Sequence, residues 1–306
     1  MDSPFEVHDP AFRRLVPEDQ AVERIATGFA FTEGPVWNDD HLLFSDIPNN
    51  RIVRWRELPE GPEVTTFRCP SGFPLGRPTR VQQPGSNGLT LDRQGRLLAC
   101  EHGNRRVTRT EADGSVVAIA ERWEGKRLNS PNDVVVRSDG AVFFTDPPYG
   151  LVDRREGKEL PFQGVYRVDL DGSLGLLVDD FERPNGLAFS PDERTLYVDD
   201  TERRHIRAFD VTEEGRLEHG RMFADLEHPD EGGPDGMKVD VEGNVYCTGP
   251  GATWVFNAAG ALLGRIITPE RPANCAWGSA DWRTLYITAR PSVYRLRVTV
   301  RGIPVK

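Results

Sequence analysis

Six polar residues recur at the starts of similar segments, and their side chains suit the binding of a divalent cation. The six are Glu33, Asn87, Asn132, Asn185, Asp235 and Asn274. All of them offer oxygen and none is His or Cys, which favours Ca²⁺, Mg²⁺ or Mn²⁺ over a closed structural zinc site. A single Asn-Gly pair is more often a turn or strand-entry signal. The whole set is different, because two carboxylates at one place repel each other unless a cation lies between them.

The segments that follow these residues have the pattern of β-strands. Their starts lie about 40 to 55 residues apart, which is the period of a propeller blade. Each start leads into an apolar run, a turn and a second apolar run rich in Leu, Val, Phe, Tyr and Thr. Third runs follow in most units and fourth runs in several. The pattern predicts an all-β fold, a six-bladed β-propeller with four antiparallel strands per blade.

The ends of the chain are predicted to meet. The sixth unit lacks a clear fourth strand, and Ala21 to Gly28 could supply it from the N-terminus. This closure by an N-terminal strand would leave no open sheet edge. The expected organisation is therefore a leader at residues 1–20, lying on the surface, and a single propeller domain at residues 21–306.

Two insertions interrupt the repeat, at Ser71 to Gly85 and at Asp146 to Gly164. Loops of this length are often functional. The first insertion leads directly into Asn87, so we expect it to form a lid or a wall of a pocket.

Composition excludes several classes of partner. The chain has 306 residues and a formal net charge of −10, which argues against nucleic acid and suits a cation or a small molecule. No stretch approaches about 18 continuous apolar residues, so no membrane span is expected. The N-terminus lacks the pattern of a signal peptide, which predicts a cytoplasmic location. Monomer and small homo-oligomer stay open.

The repeat starts are expected to share one edge with the ends of the second strands, because the two ends of an antiparallel hairpin lie together. If the first strands are innermost, this edge is the mouth of the central channel. The strand-end group comprises Asp46, Glu101, His102, Asp146, Tyr149, Asp199, Asp200, Thr248 and Arg290.

Four motifs in order resemble the SMP-30/gluconolactonase family of six-bladed, metal-dependent lactonases. They are Thr32-Glu33-Gly34-Pro35-Val36-Trp37, Ser130-Pro131-Asn132-Asp133, Pro184-Asn185-Gly186-Leu187 and Pro234-Asp235-Gly236-Met237. The resemblance extends over nearly the whole chain from about residue 20 and is greatest to the bacterial gluconolactonase branch. It implies one divalent cation, with calcium first and magnesium, manganese or zinc as alternatives.

The resemblance also implies roles for individual residues. The metal ligands of the family fall on Glu33, Asn132, Asn185 and Asp235. Asp133 matches a substrate-hydroxyl contact. Some animal members place an arginine two residues before the third-blade asparagine. Ser130 stands there in this chain, and Asn129 could substitute for that arginine. Asn87 and Asn274 are interpreted as residues that support the metal ligands or line the substrate pocket. Tyr149 is interpreted as a candidate substrate contact.

The implied reaction is hydrolysis of a lactone, a cyclic ester, to its acid. A divalent ion can polarise the carbonyl and stabilise the oxyanion, and a base must take the proton of the attacking water. Asp235 is the first candidate for that base, and His102 is the alternative because its ordinary pKa lies near neutrality. His102 could equally be a strand-end residue that hydrogen-bonds a neighbour.

Two other functions stay open. Related propellers hydrolyse other esters or phosphotriesters with a similar metal site. A non-catalytic propeller that binds a protein partner is the alternative from a different class, and it would expose apolar loops and carry no acidic ring. No G-x-S-x-G, H-E-x-x-H or G-x-G-x-x-G motif occurs, so serine esterase, zincin and dinucleotide-binding functions lack their signatures.

Overall fold

The computed structural model describes residues 3–76 and 79–305. Residues 1 and 2 of the predicted leader, residues 77 and 78 of the first insertion, and residue 306 lie outside the described parts.

The described chain is almost entirely β-structure, with one short helix, α1 (Phe12–Leu15). The first strands are β1 (Phe5–Val7), β2 (Glu23–Asn38), β3 (His41–Asp46), β4 (Arg51–Leu58), β5 (Gly61–Arg68), β6 (Ser86–Leu91), β7 (Leu97–Glu101), β8 (Arg106–Thr110), β9 (Val116–Ala120), β10 (Arg122–Trp123), β11 (Lys126–Arg127) and β12 (Val134–Val136). The others are β13 (Val142–Asp146), β14 (Gln163–Val168), β15 (Leu174–Phe181), β16 (Pro184–Phe189), β17 (Thr195–Asp200), β18 (His205–Val211), β19 (Leu217–Asp225), β20 (Met237–Val239), β21 (Val245–Gly249), β22 (Ala252–Phe256), β23 (Leu262–Ile266), β24 (Asn274–Gly278) and β25 (Thr284–Arg297).

Turn chemistry sets the hairpins. Between β6 and β7 the Asp92 carboxylate accepts the amides of Gln94 and Arg96, each at 2.9 Å, and Gly95 adopts a φ of 74°. An Asx-type turn followed by a residue in the left-handed region reverses the chain tightly and lets the next strand pair. The following strand β7 is rich in apolar residues and is buried throughout.

The strands form five large sheets, so the prediction of a six-bladed propeller is wrong, although the all-β propeller class fits. Three sheets have four strands, one has five, and one has six in the order β24-β25-β2-β3-β4-β5. The segments predicted as the first and sixth blades share the six-stranded sheet. The reason is that β2 is 16 residues long and pairs with β25 at one end and with β3 at the other. Turn signals in the sequence do not reveal this hydrogen-bonded continuity.

The N-terminal segment packs against the body of the protein. Within β2, Glu23 pairs with Arg295 and Thr27 with Ser292. Ahead of it, β1 pairs with β23 as the outer strand of the five-stranded sheet, and Phe12 and Leu15 of α1 are fully buried. Burial of these side chains stabilises the attachment of residues that were predicted to form a surface leader.

The six polar residues at the unit starts are here called the ring residues, and neighbouring units approach each other so closely that glycine is needed after four of them, at Gly34, Gly88, Gly186 and Gly236. A Cβ built at Gly186 would lie 2.2 Å from the carbonyl oxygen of Asp235, and one at Gly34 would lie 2.1 Å from that of Asn87. Adjacent strands are also hydrogen-bonded there, since the Gly186 amide donates to the Asp235 carbonyl at 2.8 Å. The Asn-Gly and Asp-Gly pairs therefore mark backbone contact between neighbouring units as well as strand entry.

Register shifts occur where the ring residues enter the inner strands. The pairing slips between Glu33 and Val36, between Ser86 and Leu89, and between Pro184 and Leu187. A bulge redirects a side chain out of the ordinary alternation of a strand. These irregularities lie beside three of the ring residues, Glu33, Asn87 and Asn185.

Apolar side chains fill the space between neighbouring sheets, and edge-to-face aromatic pairs such as Phe143 of β13 and Phe189 of β16, with centroids 5.1 Å apart, contribute to this packing. Among the described residues, no helix has the length and apolar character needed to cross a membrane.

The close approach at Gly186 predicts a marked loss of stability on substitution. Gly186→Ala would force Cβ against backbone, and we expect the free energy of unfolding to fall by about 1–3 kcal/mol. Urea denaturation measures the change. Gly175→Ala is the matched control, because its Cβ would meet only a carbonyl oxygen at 4.0 Å. Equal stability of the two variants would contradict the packing argument.

Candidate active site

Four ring residues are joined by a chain of side-chain hydrogen bonds. Asn87 Nδ2 donates to Asn132 Oδ1 at 2.6 Å, and Asn132 Nδ2 donates to Asn185 Oδ1. Asn185 Nδ2 then donates to Asp235 Oδ1 at 2.8 Å. The proposed ligands Asn132, Asn185 and Asp235 are therefore brought together although about 50 residues separate neighbours in the chain.

Glu33 completes the ring from the six-stranded sheet. Its Oε2 accepts hydrogen bonds from Asn274 Nδ2 at 3.0 Å and from the backbone amide of Gly34 at 2.6 Å. Only 2% of Glu33 is exposed. Burial, and then the charge of Asp235, raise the pKa of Glu33 well above its usual range. This carboxylate is thus held in place at a cost that a nearby positive charge would offset.

Asp235 lies opposite this group and is partly exposed to the cavity. Burial raises the pKa of Asp235 to about 7, while the charge of Arg271 acts in the other direction. Two carboxyl groups therefore face one another with little solvent, and a divalent cation between them would favour the ionised form of both.

A cavity of about 560 Å³ opens above the ring. Its lining includes the four proposed ligands together with Asn87 and Tyr149. Asn129, Asp133, Asn274 and His102 do not line it. The remaining lining residues are Phe31, Gln83, Arg154, Arg183, Thr201, Glu202, Arg204, Gly232, Gly233, Arg271 and Arg290.

His102 lies behind the ring and is fully buried. Its Nε2 is 3.1 Å from Asn132 Oδ1 and 3.3 Å from Asn87 Nδ2, while Nδ1 has no hydrogen-bond partner among the residues that the structure describes. Burial lowers the pKa of His102 to about 4, so its imidazole is neutral near pH 7. Because the neutral imidazole carries its proton on one nitrogen, Nε2 either donates to Asn132 Oδ1 or accepts from Asn87 Nδ2, so this geometry suits a side chain that holds one of these two amides.

Asn129 and Asp133 have local partners. Asn129 Nδ2 donates to the carbonyls of Asp146 and Phe162, both at 2.9 Å, which anchors the second insertion. Asp133 Oδ1 accepts a hydrogen bond from the Val134 amide at 2.9 Å. Within residues 3–76 and 79–305, Oδ2 has no hydrogen-bond partner, and Lys238 Nζ is 4.0 Å away. Neither side chain borders the cavity.

Tyr149 forms part of the wall beside Asn185. Its hydroxyl is 3.5 Å from Asn185 Nδ2, and Thr201 Oγ1 lies 3.0 Å from the same nitrogen. Burial raises the pKa of the Tyr149 phenol, so it stays protonated and can donate a hydrogen bond. Thr201 follows a second-strand end, and that position is the signal that could have identified it in the sequence.

The two insertions meet at the cavity. Gln83 of the first and Tyr149 and Arg154 of the second line the same wall, and Arg80 Nη1 is 3.1 Å from Glu156 Oε2. From the first insertion, Gln83 thus contributes to the cavity wall, and a lid role for the insertion stays a prediction.

Of the described arginines that line the cavity, only Arg290 belongs to the strand-end group identified from the sequence. Arg183 directly precedes the Pro184-Asn185 motif, and Arg271 lies three residues before Asn274. Position next to a ring motif is the signal that could have identified them.

The residues present fit a hard divalent cation. Two carboxylates and two amide side chains converge on the cavity floor, and Glu33 has no ion-pair partner among the described residues. The described residues contain no cluster of three or more His, Cys, Asp and Glu side chains arranged for a metal, which accords with a set in which two of the donors are amides.

The sequence model of one family, described as the SMP-30/Gluconolactonase/LRE-like region, matches residues 31–290. A curated relative, the gluconolactonase of Zymomonas mobilis, is 35% identical over 308 residues, covering 96% of this chain and 85% of its own length. A solved gluconolactonase structure from Xanthomonas campestris is 36% identical with a TM-score of 0.84, covering 98% of this chain and 96% of that one.

A more distant structure shares the fold. It is regucalcin from Agrobacterium tumefaciens, described as a calcium-binding protein, at 19% identity and a TM-score of 0.73, covering 93% of this chain and 96% of that one.

The buried pair of carboxylates predicts that a divalent cation stabilises this protein. Saturating Ca²⁺ should raise the melting temperature of the wild type, since a ligand at about 100 times its Kd adds about 2.7 kcal/mol. Glu33→Gln should abolish the shift and be at least as stable as the wild type in EDTA, because a buried charge is removed.

Glu101→Gln is the matched control for this thermal-shift experiment. Glu101 is also buried but is already paired with Arg106 at 2.7 Å and lies outside the cavity lining. Its variant should retain the Ca²⁺ shift. If Ca²⁺ raises the melting temperature of Glu33→Gln as much as that of the wild type, Glu33 is excluded as a ligand of the cation.

Proposed function

Because this chain belongs to the SMP-30/gluconolactonase/LRE-like family, we propose that it hydrolyses a sugar lactone of the gluconolactone type to the aldonic acid, using one divalent cation. The family resemblance and the assignment to the lactone-hydrolase class are confirmed by the matched relatives. The lactone, the cation, the mechanism and the cytoplasmic location are proposals.

The observation that carries the proposal is the convergence of Glu33 and Asp235 on the floor of a cavity that is large enough for a sugar ring. Asn132 and Asn185 lie between them along the ring, and their Oδ1 atoms, which accept hydrogen bonds from Asn87 and Asn132, are two further oxygens that a cation could use. A protein-binding module would have no use for two facing carboxylates at the bottom of a recess.

The cation proposed for Glu33, Asn132, Asn185 and Asp235 would polarise the lactone carbonyl and stabilise the developing oxyanion. The oxygen-only donor set favours Ca²⁺ first, and the calcium-binding regucalcin of the same fold supports that order.

Asp235 is proposed as the general base. It borders the cavity, where water can reach the carboxylate, and Asn185 Nδ2 donates to its Oδ1 at 2.8 Å. His102 is proposed as a positioning residue for Asn132, because it is buried behind the ring and does not border the cavity. Asn274 positions Glu33 in the same way.

Substrate contacts are proposed for Asn87 and Tyr149, which line the cavity beside the ligands. Asn129 and Asp133 are proposed to act on the substrate only through the wall that they support, since local hydrogen bonds engage them. An aryl ester or a phosphotriester would use the same site, and its catalytic efficiency relative to that of the lactone decides between these substrates.

Removal of either carboxylate should abolish lactonase activity. We expect Glu33→Gln and Asp235→Asn each to lower kcat/KM for glucono-1,5-lactone by about 100-fold or more, because charge stabilisation in the transition state is lost. A pH-stat assay with EDTA and Ca²⁺ add-back measures this, and circular dichroism checks the fold. Near-normal turnover in both variants would remove the site assignment.

His102→Gln separates a positioning role from a base role. If His102 only positions Asn132, its replacement should raise the Ca²⁺ concentration that gives half-maximal activity by about 10–100-fold. The shape of the pH profile of kcat should stay the same, because Asp235 is retained. If kcat of the variant no longer rises with pH as a general base requires, while its Ca²⁺ affinity is unchanged, His102 is instead identified as the base.

A further inference from the structure

Among the described residues, five arginines line the cavity above the ring, and they come from separate parts of the chain. Arg154 lies in the second insertion, Arg183 precedes β16, and Arg290 lies within β25. Arg204 and Arg271 complete the group. The chain as a whole carries a net charge of −10, so this concentration of positive charge runs against its composition.

Two of the five arginines are already neutralised. Arg183 forms an ion pair with Glu202 at 2.5 Å. Arg204 is 3.3 Å from a carboxylate oxygen of Glu227 and also donates to the His228 carbonyl at 3.1 Å. These two guanidinium groups have partners within the protein and are less available to a ligand.

The other three have no carboxylate partner within hydrogen-bonding distance in the described parts of the chain. Arg154 lies over the ring of Tyr149 at 5.4 Å, and Arg290 lies over that of Phe31 at 5.6 Å. Arg271 acts on Asp235 through its electric field without forming an ion pair. Cation–π contacts hold Arg154 and Arg290 in place and leave their N–H groups free to donate.

The positions of these groups separate two ends of one cavity. Glu33, Asn132 and Asn185 are buried at the floor, whereas Arg154 and Arg290 are exposed at the rim. Gly232 opens space for Arg271, because a Cβ there would lie 2.9 Å from Nε of that arginine. A ligand that reaches the floor with its reacting carbonyl would extend its other end among these guanidinium groups.

We propose that the preferred substrates are sugar lactones that carry an anionic group, a carboxylate or a phosphate, at the end remote from the ester. This inference rests on the proposed lactonase function. The guanidinium fork matches the geometry of both anions, and the positive rim would draw an anionic substrate toward an otherwise acidic protein. A neutral lactone leaves the three guanidinium groups without a partner.

The test compares three substrates on the Ca²⁺-loaded enzyme. They are glucono-1,5-lactone, the same lactone with a carboxylate at carbon 6, and the same lactone with a 6-phosphate. We expect kcat/KM of at least one anionic lactone to exceed that of the neutral lactone by about tenfold or more. The faster of the two identifies the anion, and the preference should shrink as NaCl rises.

Two outcomes of that comparison have different meanings. Equal or better efficiency with the neutral lactone overturns the anionic preference and leaves the lactonase function standing. Turnover of none of the three lactones overturns the lactonase function and the inference that rests on it.

Variants assign the preference to the rim. Arg154→Gln and Arg290→Gln should each lower the ratio of anionic to neutral kcat/KM by about fivefold or more, chiefly through KM for the anionic lactone. Both side chains are exposed, so the fold should tolerate the changes. An unchanged ratio in the double variant overturns the proposal.

Arg93→Gln is the matched control. Arg93 is an exposed arginine in the turn between β6 and β7, at the end of the sheet away from the ring. Its replacement by Gln removes one positive charge, as each single rim variant does. Its variant should keep the wild-type ratio, and an equal fall in the ratio would attribute the preference to net charge alone and overturn the role of the rim.

Discussion

The architecture of the candidate site depends on one electrostatic constraint, the approach of two carboxyl groups, Glu33 and Asp235, at the floor of one cavity. Burial and mutual repulsion both raise the pKa of Glu33, so the ionised pair is unfavourable without compensation. The surrounding amides supply hydrogen bonds but no positive charge. The proposed divalent cation would remove this cost, and the same charge would polarise a bound carbonyl.

Rigid backbone contacts keep the carboxyl groups in place. Inner strands touch at Gly34 and Gly186, where a single methyl group would collide with a neighbouring carbonyl. The amides of the ring also form a relay from Asn87 to Asp235, so the position of each side chain depends on the next. A site built from separate segments thereby becomes one unit.

The cavity joins two regions of opposite charge. Its floor is acidic, while the described residues of its lining include five arginines, of which Arg183 and Arg204 are paired with carboxylates. Once the proposed cation compensates the floor, the lining has an excess of positive charge. That contrast with an acidic exterior gives the recess a physical basis for selecting among lactones that have the same ring.

The sequence by itself determined the all-β propeller class, the family and the ring positions, because strand alternation, turn signals and the residues at unit starts are local patterns. Asn132, Asn185 and Asp235 could be identified because each stands beside a recurrent motif. The number of sheets was predicted wrongly, since only tertiary structure decides that β2 pairs with both β25 and β3 as one continuous strand. Tertiary structure also placed His102 behind the ring and the arginines around the cavity. Burial and the convergence of distant charges arise from packing between segments, and no local pattern encodes them.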